Sequence, residues 1–326
     1  MTKLTDIAGI RIGHADNQVA ATGCTVILCP AGATAGVDVR GGAPGTRETD
    51  LLNPVNYVDK VHGILLAGGS AFGLDAAAGV MQYLEEQGCG FDVGVTKVPI
   101  VAGAVLFDLN CGDYRIRPDK CMGYEACQAA GSQDLAEGSV GAGTGATVGK
   151  IFGAEHAMKG GIGAVCLGTG SLMVGAIVAV NCLGDIVNPI NGSIVAGAFQ
   201  TNPFAFLNCE EGLLAQQEKP TNRFAGNTTI GAVITNAVMT KGQATKVASM
   251  AHNGYARTIR PAHTLLDGDT IFALGTGQVV ADINIVGVLA ARAVEQAVIQ
   301  AVTQAKSLAG VTCCRELNLK LIDCVP

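Results

Sequence analysis

Apolar and polar positions along the chain follow two rhythms. Short, nearly continuous apolar runs at residues 24–29, 63–67, 163–167, 173–180, 229–235 and 270–274 predict β-strands. Between them, residues 70–86 place Phe72, Leu74, Val80, Met81 and Leu84 among alanines, and residues 241–259 and 286–307 also fit helical spacing. Paired strands ahead of a long helix in the last third predict helix layers packed over sheets. The most apolar helical stretch, residues 285–305, is interrupted by Arg292 and Glu295, and reads as a buried amphipathic helix rather than a membrane span. One segment, residues 202–226, reads as a loosely structured connection. It holds Pro203, Glu210-Glu211-Gly212 and Asn222-Arg223, and its polarity rises just ahead of the strand at 229.

Composition narrows this picture. The chain has 326 residues, 49% of them apolar, only 15% charged, with 45 glycines and no tryptophan, so its core is built from small and β-branched side chains packed closely. A formal charge of -6 supplies no general attraction for nucleic acid or an anionic membrane, and no Lys/Arg cluster reverses that locally. Small-molecule or peptide chemistry is expected. No long apolar stretch follows Met1, so a cytoplasmic protein is expected. Its twelve cysteines are scattered without zinc spacing and are expected to be reduced thiols, with Cys313-Cys314 the pair most open to reaction.

The glycine-rich motifs fail the familiar tests. The run from Gly138 to Lys150 has Thr144 where a Walker A loop needs glycine, Ile151 where it needs Ser or Thr, and Val148 where a dinucleotide fingerprint needs its third glycine. Gly68-Gly69-Ser70-Ala71-Phe72 puts Phe72 where a nucleophile elbow needs glycine, so Ser70 reads as a helix N-cap. The five histidines show no ligand spacing, and neither metal nor cofactor is implied.

Gly226-Asn227-Thr228-Thr229-Ile230-Gly231 carries more. A flexible dipeptide delivers Asn and then a hydroxyl residue into a strand-like run. Attack of Thr228 on the carbonyl of Asn227 would sever the chain and leave Thr228 with a free α-amino group beside its hydroxyl. With a reference pKa of ~7.7–8.0, that amine can take the hydroxyl proton without a histidine. Asp267-Gly268-Asp269 would set two carboxylates on one side of an extended segment, although an Asp-Gly turn entering a strand explains the same residues. Asn181, at the end of an apolar run, is a candidate oxyanion donor, and Lys150 a candidate charge near the nucleophile.

Beyond the hexapeptide, the chain carries Thr240-Lys-Gly-Gln-Ala244, Ala251-His-Asn-Gly-Tyr-Ala-Arg257, Arg260-Pro-Ala-His-Thr264 and Asp267-Gly-Asp-Thr-Ile-Phe272. Upstream lie the segment from Gly36 to Asp50, Leu65-Leu-Ala-Gly-Gly-Ser-Ala-Phe-Gly-Leu74, Val98-Pro-Ile-Val-Ala-Gly-Ala104 and Lys159-Gly-Gly-Ile-Gly163. Together these resemble the P1 family of self-processing aminopeptidases and amidohydrolases over nearly the whole chain. The resemblance implies one four-layer αββα sandwich of α/β class, residues 1–326, cleaved into an α chain of 1–227 and a β chain of 228–326, and assembled as a tetramer of αβ units. It implies Thr228 as nucleophile, Asn181 as oxyanion donor, Lys150 as an active-site lysine, Asp267 and Asp269 as supporting carboxylates, and a small peptide or amide as substrate. Two departures stand out. Members with a serine nucleophile have serine and glutamate near the two aspartates, and Phe107 stands where the nylon-oligomer branch has an active-site tyrosine. An acyltransferase of the ornithine acetyltransferase type and an uncleaved, non-catalytic assembly protein are the alternative readings.

Overall fold

The computed structural model describes residues 2–131, 135–215 and 226–317. Nine strands make the main sheet: β1 (Arg11–Asn17), β2 (Thr22–Val39), β3 (Gly45–Arg47), β4 (Lys60–Ala67), β5 (Val101–Val105), β6 (Gly161–Thr169), β7 (Leu172–Val180), β8 (Ile230–Ala237) and β9 (Thr270–Val279). Their order is β6-β7-β8-β9-β2-β4-β5-β3, with β1 on β2. Four α-helices cover it: α1 (Ala76–Glu86), α2 (Lys120–Gln128), α3 (Lys241–Thr258) and α4 (Ile283–Thr303).

The apolar run at 24–29 is the start of an 18-residue strand, and that length makes the four layers. Pro30 has no N–H to give a ladder, and the register of β2 against β4 shifts between Leu28 and Ala33. Before the shift β2 pairs with β1 and β4; after it, Ala33 and Thr34 still meet the start of β4, and residues 34–39 pair with β9. One hydrogen-bonded sheet thus folds into two facing halves.

Side-chain alternation sorts three cores. Ile27, Ile64, Leu66 and Ala104 point between the halves, toward Ile177, Ile230, Ile234 and Phe272. Val26, Leu65, Val101 and Val105 point outward onto Ala76, Val80 and Leu84 of α1 and Ala126 of α2. On the far side, Val178, Val233 and Ile271 meet Val247 and Ala251 of α3 and Ala290, Val294 and Ala297 of α4. Both faces of the central strands are covered, so they read as continuous apolar runs rather than alternating ones. The result is the expected αββα sandwich. Helix α4 is long and apolar enough to cross a membrane, yet Val286, Ala290, Ala293, Val294, Ala297 and Val298 are buried against the other layers.

Two parallel pairs run through this frame, β4 with β5 and β8 with β9. Parallel neighbours need a crossover, and the intervening helices, α1 and α3, lie on opposite outer faces. Lys159 ties the glycine-rich run to the sheet: its buried Nζ donates to the carbonyls of Gly143 at 3.0 Å and Ala146 at 2.7 Å. Burial lowers its pKa to about 8.

Several expectations change. Residues 70–86 split into a 3₁₀ turn, Ser70–Asp75, and α1. Ser70 is not a side-chain cap; Gly69 precedes the turn, and Ser70 itself sits at φ +54°. The connection at 202–226 is ordered in its first half, where Phe199–Thr201 pairs with Phe204–Phe206 and Cys209–Leu214 forms a short helix capped by Asn208. Residues 216–225 lie outside the described residues. Cys313 and Cys314 are 2% and 5% exposed, too buried for the reactivity expected of them.

Gly163 shows how closely the layers approach. A β-carbon there would lie 2.2 Å from the carbonyl oxygen of Ala297 and 2.5 Å from the nitrogen of Ala301, both backbone atoms of α4. Gly163→Val is therefore expected to push α4 off the sheet and destabilise the fold by about 3 kcal/mol or more, read as a lowered urea midpoint in equilibrium unfolding. An unchanged midpoint would contradict this packing.

Candidate active site

The paired starts of β8 and β9 organise the site. Ile230 is level with Thr270 in parallel register, and three residues upstream Asn227 bridges Asp267 with the same offset, so Thr228 lies abreast of Gly268. A β-carbon on Gly268 would lie 2.6 Å from Thr228 Oγ1, so glycine here leaves room for the hydroxyl. Thr228 is 4% exposed. Its N–H donates to the backbone carbonyl of Asn181 at 2.9 Å, and its hydroxyl donates to the carbonyl of Asn227. That same carbonyl oxygen accepts the N–H of Gly268 at 3.1 Å. The Asn227–Thr228 peptide is thus held with the Thr228 hydroxyl against its carbonyl oxygen, which also takes a backbone donor.

The two carboxylates flank this peptide on separate partners. Asp269 Oδ1 accepts the N–H of Thr229 at 2.8 Å, and its Oδ2 accepts the N–H of His263 at 3.0 Å and lies 2.9 Å from His263 Nδ1. Asp267 Oδ1 accepts from Leu183 N at 3.2 Å, and Oδ2 accepts the Thr264 hydroxyl at 2.5 Å. Both aspartates are buried. Burial, with the charge of Asp269 nearby, raises the pKa of Asp267 to about 6.

Asn181 immediately follows β7, the antiparallel neighbour of β8. Its side-chain oxygen accepts from Thr147 N at 2.9 Å and Lys150 Nζ at 3.0 Å, while its Nδ2 donates to the Phe107 carbonyl at 2.9 Å. In this arrangement the amide is directed at Phe107, and the backbone carbonyl is the group that touches Thr228. Lys150 Nζ also donates to the Asn181 carbonyl at 3.0 Å and to the Gly226 carbonyl at 3.4 Å. Lys150 is half-buried, its Nζ is held by these oxygens, and burial lowers its pKa to about 8. The ring of Phe107, just past β5, packs against Gly226 so closely that a β-carbon on that glycine would lie 2.2 Å from it. Gly226 sits at φ +48°, where glycine is favoured.

All seven residues singled out from sequence (Phe107, Lys150, Asn181, Asn227, Thr228, Asp267 and Asp269) meet at one end of the sandwich. Sequence reasoning missed His263 and Thr264, which orient the carboxylates, and Gly268, whose N–H reaches the Asn227 carbonyl. The signal for the first two was Arg260-Pro-Ala-His-Thr264, a shared motif to which no role had been given. His252 and Tyr255 pack behind His263, with ring centres 4.9 and 6.2 Å from it.

The model of peptidase family S58 matches residues 2–314. An uncharacterized aminopeptidase of Mycobacterium leprae is 44% identical, covering 95% of this chain and 92% of its own. A 6-aminohexanoate-oligomer endohydrolase of Paenarthrobacter ureafaciens is 34% identical, over 84% of this chain and 75% of its own. Among solved structures, the L-aminopeptidase D-Ala-esterase/amidase of Ochrobactrum anthropi, described as a variant of the Ntn hydrolase fold, superposes with a TM-score of 0.72 at 17% identity, covering 98% of this chain and 93% of that one. A Burkholderia β-aminopeptidase gives 0.69 at 21%, covering 99% and 95%. With a family model spanning nearly its whole length, close relatives and a shared fold, the chain belongs to peptidase family S58 and is a hydrolase of the aminopeptidase and amidase kind.

Proposed function

We propose that the chain is a self-processing amide hydrolase in which Thr228 first cuts the chain after Asn227 and then removes aminoacyl units from small peptides or amides. The observation that carries this reading is the Thr228 hydroxyl lying against the Asn227 carbonyl, whose oxygen already accepts the N–H of Gly268. In the first reaction the Oγ1–C bond forms, the C–N bond breaks, and the hydroxyl proton ends on the nitrogen of Thr228. Water then cleaves the ester, giving the Asn227 carboxylate and a free Thr228 hydroxyl. The products are chains of residues 1–227 and 228–326, which stay together as one folded unit.

In the second reaction the new α-amine takes the hydroxyl proton, Oγ1 attacks the substrate carbonyl, and the amine half leaves with that proton. Water releases the acyl group. Asn181 supplies the oxyanion donor once its Nδ2 turns from the Phe107 carbonyl, a contact worth roughly 10²–10³ in rate at comparable sites. Asp269 holds the Thr229 N–H and so the direction of the new N-terminus. Phe107 lines the substrate pocket. It offers no hydroxyl, so activity on nylon oligomers does not follow from the relative named for them. Before cleavage the amine is tied up in the peptide bond, and Lys150, in its neutral form, is the base for maturation, acting directly or through water.

Denaturing mass spectrometry of the wild type is expected to give two fragments meeting at Asn227–Thr228. Thr228→Ala should remain one chain and hydrolyse no aminoacyl amide; a cleaved or active Thr228→Ala would sink the reading. Release of the acyl group to water, rather than to an added amine acceptor, separates hydrolysis from acyl transfer.

Maturation should also depend on pH. A neutral lysine is the competent base, so the cleavage rate should rise as pH climbs through about 8 and level off above it. Lys150→Ala should cleave more slowly and lose that limb; cleavage at the normal rate would exclude the lysine. Gly226→Ala, which puts a methyl into the Phe107 ring and into a left-handed backbone, is expected to slow maturation roughly tenfold or more, followed on denaturing gels over time.

A further inference from the structure

Ser70 fits neither role that its sequence context suggested. It stands on no nucleophile elbow, and its side chain caps no helix. It opens the turn after β4, where its N–H donates to the Leu106 carbonyl at 2.9 Å. The neighbouring N–H of Gly69 donates at 2.7 Å to Asp108 Oδ1, and Asp108 is itself buried and bound through Oδ2 by the Thr22 hydroxyl at 2.7 Å. These anchors hold Ser70 in the left-handed region at φ +54°, which costs a non-glycine residue of order 1 kcal/mol or more. Relief of that strain is one substitution away, since glycine would remove it.

The strained turn presents Ser70 to the nucleophile. A cavity of about 130 Å³ is lined by Ser70, Val105, Leu106, Phe107, Leu266 and Thr228. Apart from Ser70, Asn227 and Thr228, its lining side chains are apolar or absent. Among the described residues, none exchanges a hydrogen bond with the Ser70 hydroxyl, so its acceptor and donor capacity is unspent. Thr228 supplies the attacking oxygen in our reading, and Asn227 is the acyl group of its first reaction. Ser70 is thus a lone hydroxyl in the apolar wall beside the acyl half of the scissile bond.

We propose that Ser70 is a substrate-binding residue whose Oγ accepts a hydrogen bond from the amino nitrogen on the acyl half of an aminoacyl amide. This assignment rests on Thr228 being the nucleophile. A single acceptor in an apolar wall discriminates well, because a substrate without the N–H leaves it unsatisfied. Contact with the acyl half also distinguishes this role from a structural one.

The test compares two p-nitroanilides that differ only by that nitrogen, the fastest aminoacyl substrate and its desamino twin, such as alanyl against propionyl. Both are assayed with the processed wild type, Ser70→Ala and Ser70→Gly. Each variant should lose kcat/KM on the aminoacyl substrate by about tenfold or more beyond any loss on the desamino twin, corresponding to one hydrogen bond. Ser70→Gly, which relieves the backbone strain, should be as defective as Ser70→Ala. Equal losses on both substrates, recovery of aminoacyl turnover in Ser70→Gly, or wild-type rates in Ser70→Ala would each overturn the assignment. Turnover that survives in Thr228→Ala points instead to failure of the underlying nucleophile reading, and removes this proposal with it.

Discussion

The parallel pairing of β8 with β9 is the constraint on which the site depends. Parallel strands keep a constant offset, so the register that levels Ile230 with Thr270 also levels Asn227 with Asp267 and Thr228 with Gly268. A slip of one residue would turn every side chain to the other face. A slip of β8 would turn Ile230 and Ile234 out of the inner core toward the helix layer and take Thr228 away from Gly268. Register is therefore enforced by the core, and the site inherits its geometry from burial rather than from its own hydrogen bonds.

The second requirement is that the layers approach closely. Phe107 lies just past a strand in one half of the folded sheet, while Asn181 just follows one strand of the other half and Thr228 just precedes another. Contacts such as Asn181 Nδ2 to the Phe107 carbonyl, and the Phe107 ring on Gly226, cross between them. Such contacts need the inner core to be thin and fully packed, which the Ile, Val and Ala side chains provide. Residues with no direct part in the chemistry, such as Lys159 holding the Gly143 and Ala146 carbonyls, keep the loop bearing Lys150 in place.

Burial also sets the electrostatics. Taken out of water, Lys150 falls from 10.5 to about 8, and Asp267 rises from 3.8 to about 6 with help from Asp269. The lysine and the carboxylate thus move toward each other and toward neutral pH, where either can exchange a proton at modest cost.

Much of this was legible in the sequence, and the limits have physical causes. The apolar runs gave the central strands because both faces of those strands are covered. The motif around Thr228 and the Asp267-Gly-Asp269 spacing pointed to residues that the fold brings together, because the motifs shared along the chain carry them. Strand β2 could not be followed past Pro30, since only its partners, β4 before the bend and β9 after it, show that it continues. Order in residues 199–214 was hidden for a similar reason: the Cys209 N–H is bound by Asp185, distant in the chain. Ser70 looked like a cap because its neighbours form a helix, and only the Leu106 carbonyl and the Asp108 carboxylate reveal what holds its backbone in the left-handed region. Local pattern determined the strands, the helices and the candidate residues of the site. The tertiary structure decided which carbonyl each donor meets and where each proton rests, because those depend on register and burial set by residues far apart in the chain.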